Sequence, residues 1–174
     1  ANACWVSCAE AQWLRSGHVR EVPRQSRFWE DVVQRELSGA TRVAVVISDA
    51  MRYEVGAELA GRLSAQTKGA VRLEAMQAAF PSVTEFGMAS LLPHASLELR
   101  PQEGTYPYAD GVVTSGTANR ERVLRAAEPS AHAIQSKDLV AALDLDGPEG
   151  PLAGAEVIHT LRFPLMPTDT VYPA

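Results

Sequence analysis

Two positions combine a reactive side chain with a setting that would present it, Asp49 and Thr84. Asp49 follows the apolar run Val43-Ala44-Val45-Val46-Ile47 and Ser48, and precedes Ala50-Met51-Arg52-Tyr53-Glu54. A carboxylate at the end of such a run can hold a divalent metal without being buried unpaired. Thr84 stands in Ser82-Val83-Thr84-Glu85. A threonine hydroxyl is a weak nucleophile until its pKa is lowered, and a bound divalent metal does that. Each residue also has a purely structural reading. Asp at a strand-to-helix turn commonly caps the next helix, and Ser82 with Glu85 has the form of a capping box. If Ser82 caps, Thr84 falls in the first helical turn, where free backbone N–H groups favour a phosphate or an oxyanion.

The elements that must position these groups follow from the pattern around them. Residues 43–47 read as a short strand buried on both faces, as in a parallel sheet covered by helices. Val55, Leu59 and Leu63 then form one stripe at helical spacing, with Glu54, Glu58 and Arg62 among them. Gly69 is placed to stop this helix. Residues 70–80 read as a second strand ended by Pro81, completing a βαβ unit whose two strands would deliver Asp49 and Thr84 to one sheet edge. Phe86, Met88, Leu91 and Leu92 suit a short helix ended by Pro93, and the chain from there to about Tyr108 reads as a loop. Val112-Val113 suits an edge strand, Thr117 a cap for a helix over 118–127, and 131–134 a strand before a helix over 136–143. Upstream, Cys4 to Trp13 and a segment opened by Pro23 and carrying Phe28, Trp29, Val32, Val33 and Leu37 read as two helices whose aromatic residues pack inward. The fold class is therefore α/β, a mostly parallel sheet with helices on both faces.

The bulk properties narrow the function. The chain has 174 residues, 46% hydrophobic and 21% charged, enough for one domain with its own core. Its net charge of −5 supplies no general attraction to nucleic acid. No apolar run exceeds about five residues, against the roughly 20 of a membrane span, so the expectation is a cytoplasmic protein. Cys4 and Cys8 lack further soft ligands nearby and read as incidental thiols. The absence of an initial Met leads us to expect a beginning further upstream.

Four motifs in order carry a family resemblance. Gln25-Ser26-Arg27-Phe28-Trp29, the stretch from Val45 to Glu54, the stretch from Phe80 to His94, and Gly111 to Leu124 with its Thr114-Ser115-Gly116-Thr117-Ala118-Asn119-Arg120 core closely resemble the PglZ domain. This implies an alkaline-phosphatase-like fold with two divalent metal ions, zinc above all, bridging a phosphoryl group. It also implies a phosphatase or phosphodiesterase of BREX-type defence against bacteriophage, with a phosphate ester or phosphodiester as substrate and other BREX proteins as partners. By the resemblance Asp49 matches a metal ligand, and Thr84 matches the nucleophile, which also touches the metal; Ser82 is second choice for that role. Arg52 and Asn119 are conceivable phosphate contacts, with a salt bridge to Glu54 and a helix start as their structural alternatives.

The later metal-ligand motifs of the family, a Tyr-x-Tyr-His-Asn run and an Ala-Asp-His-Gly run, do not occur here. The similarity stops after Glu156-Val157-Ile158, at His159-Thr160-Leu161. We therefore expect a truncation or frameshift near residue 158, a domain incomplete at its C-terminal end, and His159 and Asp169 as conceivable substitute ligands. The expected division is a helical lead-in over 1–40 packing on the sheet, a partial PglZ domain over 41–145 and a divergent Pro/Gly-rich tail over 146–174. A non-catalytic interaction module of a defence complex is the alternative function.

Overall fold

The structure is a computed structural model; it describes residues 17–19, 21–39 and 42–135, the backbone of 157–161, and Cys4, Ser7 and Asp138. Apart from Cys4, Ser7 and Asp138, the expected helices over Cys4 to Trp13 and over 136–143 lie outside the described residues, as do the linker after Asp144 and Asp169. The chain divides into two compact units interleaved in sequence, Ala1–Glu36 with Glu74–Thr114, and Leu37–Leu73 with Ser115–Ala174.

In the first unit Pro23 precedes a composite helix α1 over residues 25–37, a 3-10 turn Gln25–Arg27, a π-helical stretch Trp29–Gln34 and a last α turn Arg35–Leu37 that runs into the second unit. Trp29 and Val33 are buried, so the aromatic residue packs inward as its spacing predicts. Residues 70–80 do not form the expected strand. Alanines at 70, 75, 78 and 79 give little of the β-branched surface that strands favour. The backbone of Gln77 instead makes a single parallel bridge beside Arg24, its N–H donating to the Pro23 carbonyl (2.7 Å) and its carbonyl accepting from Gln25 N–H (2.9 Å).

Helix α3, Thr84–Ser90, follows, with Met88, Ala89 and Ser90 buried, and Leu92 closes the core just beyond it. The segment expected to be a loop contains two short strands, β2 Leu97–Glu98 and β3 Tyr108–Ala109, and β3 turns back into β4 Val112–Val113. The three make an antiparallel sheet in the order β2-β3-β4. Asp110 (φ 47°) and Gly111 (φ 81°) form the two-residue turn between β3 and β4. Both positive angles match the twist of a tight hairpin, and Asp-Gly is a pair that tolerates them. The Asp110 carboxylate accepts hydrogen bonds from Ala95 N–H (3.0 Å) and Ser96 N–H (2.7 Å), tying the turn to the start of β2.

In the second unit β1, Val43–Ile47, leads to helix α2, Tyr53–Gln66. Helix α4, Gly116–Ala127, and β5, His132–Gln135, occur where the sequence places them, but the helix begins two residues earlier with Ser115 rather than Thr117 at its cap, and the strand is shifted by one residue. Gly116 has φ 71°, an angle that suits glycine where the chain enters the helix. The parallel partner of β1 is β6, Val157–Leu161, and the order is β1-β6-β5, with Val43 opposite Val157 and His132 opposite Ile158. The βαβ unit expected over 43–80 is thus not formed. The connection from β1 runs to far later strands.

Glu121 on α4 accepts from Ala133 N–H (3.0 Å), and Arg125 donates to the Ala131 carbonyl (3.0 Å), locking helix to strand beside buried Val123 and Leu124. In β1 only Val45 is buried, and Val46 is 57% exposed. The strand is covered on one face, not two, among the described residues. The described strands form one parallel sheet and one small antiparallel sheet, so the fold is a mixture of helix and strand.

Candidate functional site

Asp49 lies in the turn between β1 and α2, half-buried, two residues past the last strand residue. The next residue, Ala50, takes φ 54°, a left-handed conformation that costs a residue with a Cβ about 1 kcal/mol. The cap position of α2 belongs to Arg52, not to Asp49. A helix-capping role therefore does not explain Asp49. Arg52 is exposed, and no ion pair joins it to Glu54; Glu58 and Arg62 pair along α2 instead.

Thr84 is exposed and is the first residue of α3. The capping box predicted from Ser82 and Glu85 does not form. The cap position belongs to Val83, whose apolar side chain cannot accept, and its carbonyl takes the first helical bond from Gly87 N–H (2.9 Å). Ser82 is left exposed, two residues ahead of the helix. Thr84 in the first helical turn stands as expected, by a different cap.

One side chain positions this segment, and its chemical role was not evident from spacing. The Gln25 amide oxygen accepts from Ala79 N–H (2.8 Å), and its nitrogen donates to the Gly87 carbonyl (3.2 Å). It thereby clamps the chain on both sides of Thr84. Ser90 completes the helix end by donating to the Phe86 carbonyl (2.8 Å). The signal was present as Gln25 in the first of the four motifs, but a polar residue far away in sequence does not name its partners.

The other candidates fall into structural places. Asn119 donates to the Ser115 carbonyl (2.8 Å), which fastens the start of α4. His159 lies in β6, opposite Val45 and Ala133. Thr114 is fully buried, and its hydroxyl donates to the Pro107 carbonyl (2.8 Å), pinning the ends of the β3–β4 hairpin.

Asp49 belongs to the unit built on β1, and Thr84 to the unit built on α1 and the antiparallel sheet. Among the described residues no group of three or more His, Cys, Asp or Glu is placed to hold a metal ion. Two oxygen donors do not satisfy even one tetrahedral zinc, which takes four ligands. The described residues thus do not fit a two-metal centre by themselves.

Residues 28–159 match the family described as "BREX system PglZ alkaline phosphatase-like domain". The chain belongs to the PglZ family. It is 38% identical over 149 residues to "Alkaline phosphatase-like protein BrxZ" of Escherichia coli O9:H4 (strain HS), covering 84% of this chain and 17% of that protein. It is 35% identical over 137 residues to "Alkaline phosphatase-like protein PglZ" of Bacillus cereus (strain H3081.97), covering 79% of this chain and 16% of that protein. The chain thus matches about a sixth of the length of these relatives. No solved structure matches it. The matched region contains Asp49, Thr84 and the clamp residues at 79 and 87. No described helix is long and apolar enough to cross a membrane.

Proposed function

We propose that this chain is part of a phosphoryl-transfer hydrolase, a phosphatase or phosphodiesterase of a BREX-type anti-phage system, acting in the cytoplasm. The observation that carries the reading is the family match across residues 28–159, which includes Asp49 in the turn after β1 and Thr84 as the first residue of α3. In this reading the Thr84 oxygen attacks phosphorus as its proton passes to the leaving alcohol, its bond to phosphorus forms as the bond to that alcohol breaks, and water then frees Thr84, releasing phosphate from a monoester substrate or a phosphate monoester from a diester. Gln25 holds the Thr84 turn in place. Asp49 is proposed as one ligand of a zinc site, with the remaining ligands outside the described residues.

The test uses a chromogenic phosphodiester with and without added zinc, and calorimetric zinc binding in the same samples. Turnover that needs zinc, falls on the order of 10³-fold or more in Thr84→Val and is lost with zinc affinity in Asp49→Asn supports the reading. Turnover that survives Thr84→Val sinks the nucleophile assignment.

A second reading has its own support. Helix α2 has no buried residue, and Val55, Leu59 and Leu63 all stand exposed along one stripe. An interaction module that docks against other BREX proteins would use such a face. Absence of both zinc binding and turnover in the folded chain, with a BREX protein bound through this stripe, selects this alternative.

A further inference from the structure

The first unit contains a cavity of about 280 Å³, and the described residues that line it all belong to that unit. An apolar cavity of ~150 Å³ holds benzene, so this one has room for a planar ring and a compact substituent. Phe80, Phe86 and Leu97 supply apolar and aromatic wall, and Phe80 is 75% exposed. Phe86 lies on α3, the helix that Thr84 begins.

The polar character of the cavity is one-sided. Arg24 and His94 line it, and among the described residues no carboxylate does, although the chain carries a net charge of −5. Arg24 is exposed and no carboxylate among the described residues pairs with it. His94 holds its Nδ1 against the Leu92 carbonyl at 2.7 Å. A carbonyl only accepts, so Nδ1 carries the proton and Nε2 is the ring's other polar atom. The two glutamines of the wall are committed elsewhere. Gln25 clamps Ala79 and Gly87, and the Gln77 side chain accepts from Val19 N–H (2.7 Å) and donates to the Gly17 carbonyl (3.2 Å). They shape the wall beside the Arg24 guanidinium and the two phenyl rings.

We propose that this cavity binds a planar aromatic group bearing an anionic substituent, the class to which a nucleoside monophosphate belongs. Aromatic walls take the ring by stacking, and a guanidinium takes the anion by paired N–H donors. Its role as a substrate pocket rests on the phosphoryl-transfer reading above, which it deepens by naming the substrate as an ester of an aromatic-bearing group. The binding itself does not depend on that reading.

The experiment titrates the 174-residue chain, without added metal, with adenosine 5′-monophosphate, adenosine and ribose 5-phosphate, following heat. The nucleotide is expected to bind about tenfold or more tighter than either fragment. Arg24→Gln should remove its advantage over adenosine, and Phe80→Ala its advantage over ribose 5-phosphate, with the circular dichroism of both variants unchanged. Both substitutions are at exposed positions, and Arg24→Gln keeps most of the side-chain length. No saturable binding of the nucleotide, equal binding of ribose 5-phosphate, or binding indifferent to both substitutions overturns the proposal. Nucleotide binding through these residues in a chain without phosphodiester turnover would sink the hydrolytic reading and leave the cavity assignment standing. Phosphodiester turnover in a chain that shows no saturable nucleotide binding would do the reverse.

Discussion

The turn before Thr84 and the turn that carries Asp49 are both joints between an irregular or extended segment and a helix, and the chain secures them by different means. The Thr84 joint is fixed by polar bonds from a distant segment, through Gln25 to Ala79 and Gly87, and by a helix whose last three residues are buried. The Asp49 joint follows a strand with one buried residue and enters a 14-residue helix with none. Its order rests on the pairing of β1 with β6 and on the strained backbone at Ala50. A reactive residue can therefore be placed either by a clamp inside its own unit or by a sheet that the chain completes only much later. The first kind is robust to changes elsewhere in the chain, and the second is not.

The largest expected contrast between the units comes from leucines. Leu92 is fully buried near the Thr84 helix, and Leu92→Ala should lower unfolding stability by about 2–5 kcal/mol through lost transfer energy and the cavity left behind. Leu59 on α2 is 44% exposed, and Leu59→Ala should change stability by no more than about 0.5 kcal/mol. Urea titration of both variants measures the difference, and a large loss from Leu59→Ala would show that α2 packs against something. Next in size is Gln25→Ala. It leaves Ala79 N–H and the Gly87 carbonyl without their partner and should cost roughly 1–3 kcal/mol, with faster amide exchange at Ala79.

These contrasts also explain what was legible. Strand β1 was readable because five apolar residues in succession have few other uses, and α4 and β5 because their apolar positions keep a regular period. The partner of β1 was not readable, since pairing with residues 157–161 is set by contacts far apart in sequence. Residues 70–80 read as a strand ended by Pro81, in a pattern that alanines dilute, yet Gln77 spends both backbone groups on a single bridge to the segment around Arg24. Asp110-Gly111 was a clear hairpin signal, and β3 is the element it should have disclosed. At the candidate site, Thr84 at a helix start was legible, while the cap was misplaced because Ser82 competes with Val83 for one position. The clamp by Gln25 was hidden, for a side-chain amide carries no pattern of its own.

The β3–β4 turn gives a smaller effect and one that depends on pH. Backbone N–H donors from Ala95 and Ser96 hold the Asp110 carboxyl below the usual carboxylate range. Its folded pKa is thus lower than its unfolded value near ~3.9. The stabilisation it gives is fully present above that unfolded value and is lost as pH falls through the folded one. Asp110→Asn keeps the tolerance for positive φ but weakens these bonds, and should cost about 1 kcal/mol at neutral pH. That cost should begin to shrink as pH falls below about 4, where the unfolded carboxyl takes its proton, and should disappear once the native carboxyl is protonated as well. Thermal melts at neutral and acid pH measure both parts. The smallest change sharpens the other joint. Ala50→Gly removes the Cβ from a left-handed position and should stabilise the chain by up to about 1 kcal/mol.

The most direct measurement of the central claim is to trap the covalent intermediate. The zinc-treated chain is mixed with a chromogenic phosphodiester, quenched in acid, digested and read by mass spectrometry. A phosphoryl group on Thr84 that still carries the ester group that did not leave, absent in Thr84→Val, is the expected result. Turnover with the phosphate found on Ser82, or with no phosphorylated residue in the 80–94 peptide, would contradict the assignment of Thr84 as the nucleophile.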